Sequence, residues 1–306
     1  MDYKCTQLIA TGLLALVLCC VSCRSNRNEQ NISDPEAENL ITPPTETEAG
    51  NGAKTLSFSS YREKKKVSVG NNPQYPFCDI DINMVYPSGF YDKGKLKKIQ
   101  DIFLANTLGE SYAGLPPTQA GQLYVQKYIE DYQEEMQGYI DELKKKGEPF
   151  DPENEEWMNY TLSLSTNTLF DSHSIWSYGC QTYTYTGGAH GMSGTVYQSI
   201  DTETVHAILL SDIFAEKETA LLTALLKREL MKKEGVGTEE GLTEKGFWPE
   251  NLSPTENFYV DQKGITWLYN PYEIAPYALG TIRITLSYDQ TAPYILPDCP
   301  VRRLFE

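Results

Sequence analysis

Three histidines occur in the chain, His173, His190 and His206. They are 17 and 16 residues apart, so no pair has the close helical or turn spacing of a preformed zinc site. A metal centre would need three separate strands to bring them together, and none is expected. His190 lies in Thr186-Gly187-Gly188-Ala189-His190-Gly191, a turn whose glycines supply positive φ. There its imidazole is expected to bond nearby backbone. Gly191-Met192-Ser193-Gly194 lacks the spacing of a nucleophile elbow. Acidic pairs such as Asp79/Asp81 and Glu239/Glu240 are plentiful in a chain with 42 carboxylates. Asp79 and Asp81 alternate along a strand and so share one face. That could serve glycosidase or metal chemistry, but the simpler assignment is the wet face of the strand. No nucleotide-binding loop or catalytic cysteine setting is present, and no cofactor is implied. By residue chemistry the chain reads as a binding protein. An envelope hydrolase, working through carboxylates such as Asp79 with or without His190, is the competing class.

Six of the seven cysteines divide by position. Cys19, Cys20 and Cys23 follow an apolar run from Leu8 to Leu18 that comes after Lys4. This run is too short to span a bilayer, which takes roughly twenty residues, and has the length of a signal-peptide core. Ser22 supplies the small residue wanted before a lipidated cysteine, so residues 1–22 read as signal and Cys23 as the acylated first residue. Cys20 is the next choice. The Cys20–Cys23 spacing also spells C-x-x-C, but the pair straddles the expected cut. Cys78, Cys180 and Cys299 stay in the body, where an oxidising compartment allows one disulfide with one thiol left over, the pairing being open.

These groups must be positioned by the elements around them. Residues 23–54 are polar, rich in Asn, Glu, Pro and Thr, and read as a disordered tether. Thr55–Val69 reads as a strand with a basic knot at Arg62–Lys66. Phe77–Tyr86 alternates Ile80, Ile82 and Met84 with Asp79, Asp81 and Asn83, the pattern of a half-buried strand. Two helices follow. Lys95–Leu108 carries a stripe of Leu96, Ile99, Ile102 and Phe103. Gln119–Lys146 carries Leu123, Tyr128, Tyr132, Met136, Tyr139, Ile140 and Leu143. Lys144–Lys146 lie at the negative end of its dipole. From Trp157 to Ile200 the chain turns to β-structure, with turns at Asp171–Ser174 and Gly187–Gly194. A leucine-rich helix, Glu216–Lys233, precedes three short strands at Asn257–Asp261, Ile265–Tyr269 and Gly280–Tyr288. Helices grouped between runs of strands indicate an α+β protein. The expected architecture is an antiparallel sheet with helices packed on one face, in two linked α+β parts at 55–199 and 200–306.

The net charge is −16 and is unchanged by loss of the signal, which removes one Asp and one Lys. Such a body does not bind nucleic acid through counterion release. It attracts cationic partners, and acidity also keeps an envelope protein soluble. The 21 tyrosines favour strands.

Two blocks carry a resemblance. One is Tyr185-Thr186-Gly187-Gly188-Ala189-His190-Gly191 with Ser199–Thr204 and Leu209–Phe214. The other is Phe258-Tyr259, Gly264-Ile265 and the run from Tyr269 to Gly280 that contains Pro271-Tyr272-Glu273-Ile274-Ala275-Pro276-Tyr277. From about Pro73 to the end, the chain resembles the extracytoplasmic domain family of RsiV, the lysozyme-sensing anti-sigma factor. It is also similar to the non-catalytic domains preceding the PdaC peptidoglycan deacetylase. The resemblance implies an α+β body in two linked parts that binds lysozyme or cell-wall glycan. Tyr272 and Tyr277 would flank a turn and lay their rings on the sheet with their hydroxyls in water. With His190 they are the candidate binding residues. Sigma-factor control and deacetylase activity are not implied, because no second hydrophobic segment and no deacetylase domain is read. The partners expected are the membrane, through the lipid anchor, and lysozyme or glycan. The expected location is the cell envelope, as an outer-membrane lipoprotein.

Radiolabelled fatty acid is expected to enter the wild-type chain and not the Cys23→Ala form. Labelling that persists in the variant would move the site to Cys20 or Cys19.

Overall fold

The computed structural model describes residues 55–152 and 155–306, so the signal, Cys23 and the tether lie outside the described residues. Strands β1 (Ser57–Ser68), β2 (Phe77–Gly89), β3 (Tyr160–Ser172), β4 (Ile175–Tyr185), β5 (Met192–Asp201) and β6 (His206–Ala207) form one sheet in chain order. β7 (Phe258–Val260), β8 (Gly264–Tyr269) and β9 (Ile282–Ser287) form a second, antiparallel sheet. Helices α1 (Lys93–Thr107) and α2 (Pro117–Lys146) connect β2 to β3. Between the sheets run α3 (Leu210–Ile213), α4 (Thr219–Glu234) and α5 (Glu239–Glu244), and α6 (Tyr288–Thr291) follows β9.

The α+β expectation holds, with one correction to the antiparallel sheet. β2 and β3 pair in parallel, Ile80 opposite Leu162 and Ile82 opposite Leu164. A two-residue hairpin joins antiparallel strands, whereas a parallel pair needs a long crossover. Here that crossover is the helix pair α1 and α2. The other pairings of the first sheet are antiparallel. This sheet also runs past the expected division at residue 200, since β5 reaches Asp201 and β6 follows it.

Alternation along each strand divides two cores. Ile80, Ile82, Met84, Leu162, Leu164, Trp176, Tyr178 and Cys180 face α1 and α2. β4 is buried on both faces, and Ile175 on its other face joins the core around Trp267, Leu226 and Leu230. On α1 the buried residues are Ile99, Phe103 and Leu104. On α2 the stripe is corrected. Leu123 is exposed, and Ala120, Gly121 and Val125 are buried instead. The cause is Tyr61 of β1, whose ring lies 2.5 Å from where a Gly121 Cβ would stand. The helix backbone rests on that ring and turns Leu123 outward. α2 ends at Gly147 in the left-handed region (φ 72°), with Lys144, Lys145 and Lys146 in its last turn, as dipole chemistry favours.

The basic knot of β1 lies on the sheet edge. Lys64 bonds Asp81 at 2.7 Å and Arg62 Nε donates to Asn83 Oδ1 at 3.1 Å. Charges on an edge strand discourage pairing with another chain. At the far end of the sheet, buried Asp201 accepts from Glu203 N (3.0 Å) and Thr204 Oγ1 (2.8 Å). Arg303, from the C-terminal 3-10 turn, reaches the same carboxylate at 2.8 Å. This clasp holds Val205 at φ 61°, an unfavourable backbone for a β-branched residue.

Cys78, Cys180 and Cys299 are buried and unpaired. Cys78 and Cys180 sit on β2 and β4, with β3 between them. Two strand spacings come to about 9.6 Å, beyond the reach of a disulfide. Cys299 belongs to the other core. Burial pushes the three thiols up to about 11, about 12 and about 11 in chain order, away from the thiolate.

Asp171, at the end of β3, accepts the backbone N–H of Leu56 at 3.0 Å, where the chain joins the sheet. Desolvation raises its carboxyl from 3.8 to about 6. A raised acid binds its proton more tightly in the folded state. Its favourable contribution is therefore complete below about pH 4 and is lost as pH rises through about 6. Asp171→Asn keeps an acceptor for Leu56 and removes the buried charge. It is expected to raise the Tm at about pH 7.5, with the gain vanishing near pH 4. Leu225 is buried on α4, and Leu225→Ala is expected to cost about 2 to 5 kcal/mol in denaturant unfolding. A cost below about 0.5 kcal/mol would place that face in solvent.

Candidate functional site

The three histidines do not assemble. His173 forms the two-residue turn between β3 and β4 with Ser174, at φ 53° and 59°, the mirror-image turn that suits hairpin twist. His206 pairs with Asp201 beside it, and Thr202 N donates to Ser174 O at 2.9 Å. His190 lies past the opposite end of β4. The eleven residues of that strand span about 35 Å at roughly 3.3 Å each. Among the described residues no group of three or more His, Cys, Asp or Glu is placed to hold a metal ion. Asp79 and Asp81 lie opposite Lys66 and Lys64 on β1, so the pair forms a cross-strand charge ladder.

His190, Tyr272 and Tyr277 do come together. The β4–β5 loop turns at Gly187 (φ 87°) and Gly188 (φ 99°), backbone that glycine adopts freely. A Cβ on Gly187 would stand 3.0 Å from the Trp157 carbonyl. Tyr185 Oη donates to Gly188 O at 3.1 Å, fixing the loop. His190 Nδ1 lies 2.8 Å from Gly191 O, as expected of an imidazole bonded to backbone. Its ring packs on Tyr277, with centroids 4.8 Å apart and planes tilted 32°. Tyr277 in turn meets Tyr272 at 5.8 Å and 35°. The tyrosine rings therefore lie on each other and on His190, whereas they were expected to lie on the sheet. The reason is the backbone of Tyr272, held at φ 72° by Tyr272 N to Ala275 O (2.9 Å) and Glu273 N to Asn270 O (3.1 Å). An aromatic residue in the left-handed region is uncommon, and such outliers concentrate at functional sites. Tyr272 is 49 % exposed, and Met192 (45 %) and Leu279 (42 %) lie in the same two segments.

Two asparagines hold the turn in place. β5 pairs with β4 along its length but with β6 only at Ile200 and Asp201. Further back, Asn270 Oδ1 accepts from Thr195 N (2.8 Å) and Asn270 Nδ2 donates to Thr195 O (3.0 Å). Asn257 accepts from Tyr197 N (2.8 Å) and donates to the same Thr195 carbonyl (2.9 Å). Below them, Ser177 and Ser199 hydroxyls meet at 2.7 Å and hold both polar groups of the Val260 backbone. Arg283 Nε donates to Tyr197 Oη at 2.6 Å. Sequence reasoning missed Asn257 and Asn270. Asn257 reads as the first residue of an expected strand and Asn270 as the turn residue after another, and the observed strand begins only at Phe258. An open polar groove between β1 and α2, lined by Glu63, Lys65, Gln122, Gln126, Ile129 and Glu130, contains none of the candidate residues.

Two family models match this chain. Residues 76–193 match one described as Deacetylase PdaC, and residues 211–289 match one described as Protein of unknown function (DUF3298). The PdaC-type match ends inside β5, and the DUF3298-type match runs from α3 into α6. The His190–Tyr277 contact therefore joins a loop of the first to a turn of the second. A solved member of the DUF3298 family from Bacteroides fragilis is 27% identical, with a TM-score of 0.76, over 83% of this chain and 99% of that one. A DUF3298 family protein from Pseudomonas aeruginosa PAO1 shares the fold, at 17% identity and a TM-score of 0.55 over 82% and 96%. No protein with a curated description matches the chain. PdaC-type and DUF3298-type domains suit a protein associated with the cell envelope. No described helix is long and apolar enough to cross a membrane.

Asn270→Ala removes two bonds and strands the buried Thr195 N–H on β5, while the Thr195 carbonyl keeps its bond from Asn257. A loss of about 1 to 3 kcal/mol in denaturant unfolding is expected. Combined with Asn257→Ala the losses should be non-additive, because both amides share the Thr195 carbonyl.

Proposed function

We propose that this chain is a non-catalytic binding module of the cell envelope, a lipoprotein anchored through Cys23. Its patch of His190, Tyr272 and Tyr277 docks a cationic protein of the lysozyme kind. The observation carrying this reading is the convergence of His190 with Tyr272 and Tyr277, where two segments far apart in sequence build one exposed aromatic surface. Tyrosine and methionine are enriched in protein interfaces, and rigid rings lose little entropy on docking. The net charge of −16 supports a basic partner by speeding encounter. The resemblance to a lysozyme-sensing ectodomain fits the same reading, which includes an outer-membrane location. The competing class, a hydrolase using Asp79 or His190, would need these groups near a second acid or base. Asp79 faces Lys66, the acid that shares its face, Asp81, is paired with Lys64 at 2.7 Å, and His190 packs on Tyr277.

Calorimetric titration of the chain with lysozyme at low and high salt tests the reading. Binding should weaken as salt rises, and Tyr277→Ala or Tyr272→Ala should weaken it at least tenfold, about 1.4 kcal/mol. The same sample should release no muropeptides from peptidoglycan. Release that disappears in Asp79→Asn or His190→Ala would favour the hydrolase, and absence of binding would overturn the proposal.

A further inference from the structure

The two edges of the first sheet are finished differently. At one end β6 is two residues long, and the edge of β5 behind it is answered by the amides of Asn257 and Asn270. At the other end stands β1, twelve residues long, with no strand beyond it among the described residues. Among those residues, only β2 bonds the main chain from Ser59 to Val67. Every second residue of such a strand points its N–H and C=O outward, unpaired.

A helix flanks this edge. Tyr61 of β1 lies under α2 at Gly121. Glu63 and Lys65, on the same face as Tyr61, line one side of the groove between β1 and α2. Gln122, Gln126, Ile129 and Glu130 of α2 line the other. A strand edge beside a helix is suited to capturing an extended peptide by strand addition. The edge supplies main-chain bonds, and the helix supplies a surface for alternate side chains.

The charges here discourage most strands and select one kind. Those in the groove are satisfied locally, Lys65 bonding Glu63 at 2.6 Å and Gln126 donating to Glu130 at 2.8 Å. On the opposite face β1 presents Arg62, Lys64 and Lys66, all exposed. Lys64 bonds Asp81 at 2.7 Å, Lys66 lies over the Phe77 ring, and Arg62 bonds the neutral Asn83. An added strand would lie about 4.8 Å from this row, with Asp79 and Asp81 of β2 a further spacing behind it. Opposite charges on neighbouring strands stabilise a pair, and like charges oppose it. The row therefore rejects a second copy of β1. An antiparallel pair centred on Lys64 would set Lys64 against Lys64 and Arg62 against Lys66. Carboxylates at every second position are accepted instead. Charges elsewhere on the acidic body are screened beyond about 8 Å at physiological salt.

We infer that the outer edge of β1 captures an extended acidic segment of another protein as an added strand of the first sheet. Its carboxylates stand at alternate positions beside Arg62, Lys64 and Lys66, and its uncharged side chains face Ile129 in the groove. The site uses none of His190, Tyr272 and Tyr277.

The test titrates the full chain, in detergent, with the capped peptide Thr-Glu-Val-Glu-Thr-Glu-Val. Saturable binding is expected. Glutamine in place of its glutamates should weaken binding about tenfold or more, and lysine should abolish it. N-methylation of alternate backbone amides should abolish binding in one phase and spare it in the other, because only every second residue bonds β1. Arg62→Glu combined with Lys64→Glu should weaken binding about tenfold or more, and so should Gln126→Trp, which fills the groove from an exposed helix position. Both variants should keep a Tm near wild type. Tyr277→Ala should leave binding unchanged, so this inference and the aromatic patch fail separately. Absence of binding, a glutamine peptide that binds as tightly, equal effects of the two N-methylated series, or indifference to Gln126→Trp overturns the assignment. So does self-association in sedimentation that Gln126→Trp abolishes, which would make a second copy the occupant.

Discussion

Strand β5 has two edges, and only one is fully used by a neighbouring strand. The Thr195 N–H and C=O and the Tyr197 N–H point away from β4, where β6 is too short to reach them. Unpaired backbone polar groups in a half-buried seam are costly. The amide side chains of Asn257 and Asn270 answer them, each presenting the same donor and acceptor as a strand would. Much of the rest follows from that substitution. The second sheet is docked without extending the first. The Pro271–Tyr277 turn is brought to the β4–β5 loop, and His190 meets Tyr277. A continued strand in place of these amides would have covered the edge but left no turn there to carry exposed rings.

The buried serines beneath the amides obey the same logic at closer range. Ser177 and Ser199 are fully buried hydroxyl residues in β4 and β5. Between two sheets they bond each other and the Val260 backbone, so no hydroxyl there is left unsatisfied. Gly179, next along β4, has no side chain because the Tyr197 ring occupies that space, 3.0 Å from the position of its Cβ. The interface is therefore specified by small residues and hydrogen bonds, with bulk supplied from the flanking apolar cores.

What the sequence made legible follows from what period and turn chemistry can encode. The alternation from Asp79 to Met84 named the strand and its buried face. The Lys144–Lys146 run with Gly147 named the end of α2, and the leucines of α4 named a core helix. The sense of pairing between β2 and β3 was not legible, because alternation is the same in parallel and antiparallel neighbours. Leu123 misled because helical spacing assigns a stripe but cannot know that Tyr61 fills the groove beside Gly121. His190, Tyr272 and Tyr277 were legible as candidates one at a time. Their meeting was not, since it depends on two asparagine side chains reading a strand edge more than fifty residues away.

The parallel pairing of β2 with β3 bears on how the chain reaches this state. The two strands are brought together only after the α1–α2 crossover is threaded, and the Asp201–Arg303 clasp joins positions about a hundred residues apart. Closing such loops costs entropy before any contact rewards it. High contact order of this kind puts folding in the slow regime, milliseconds to seconds or longer rather than microseconds. Neither core can close until these distant segments have met.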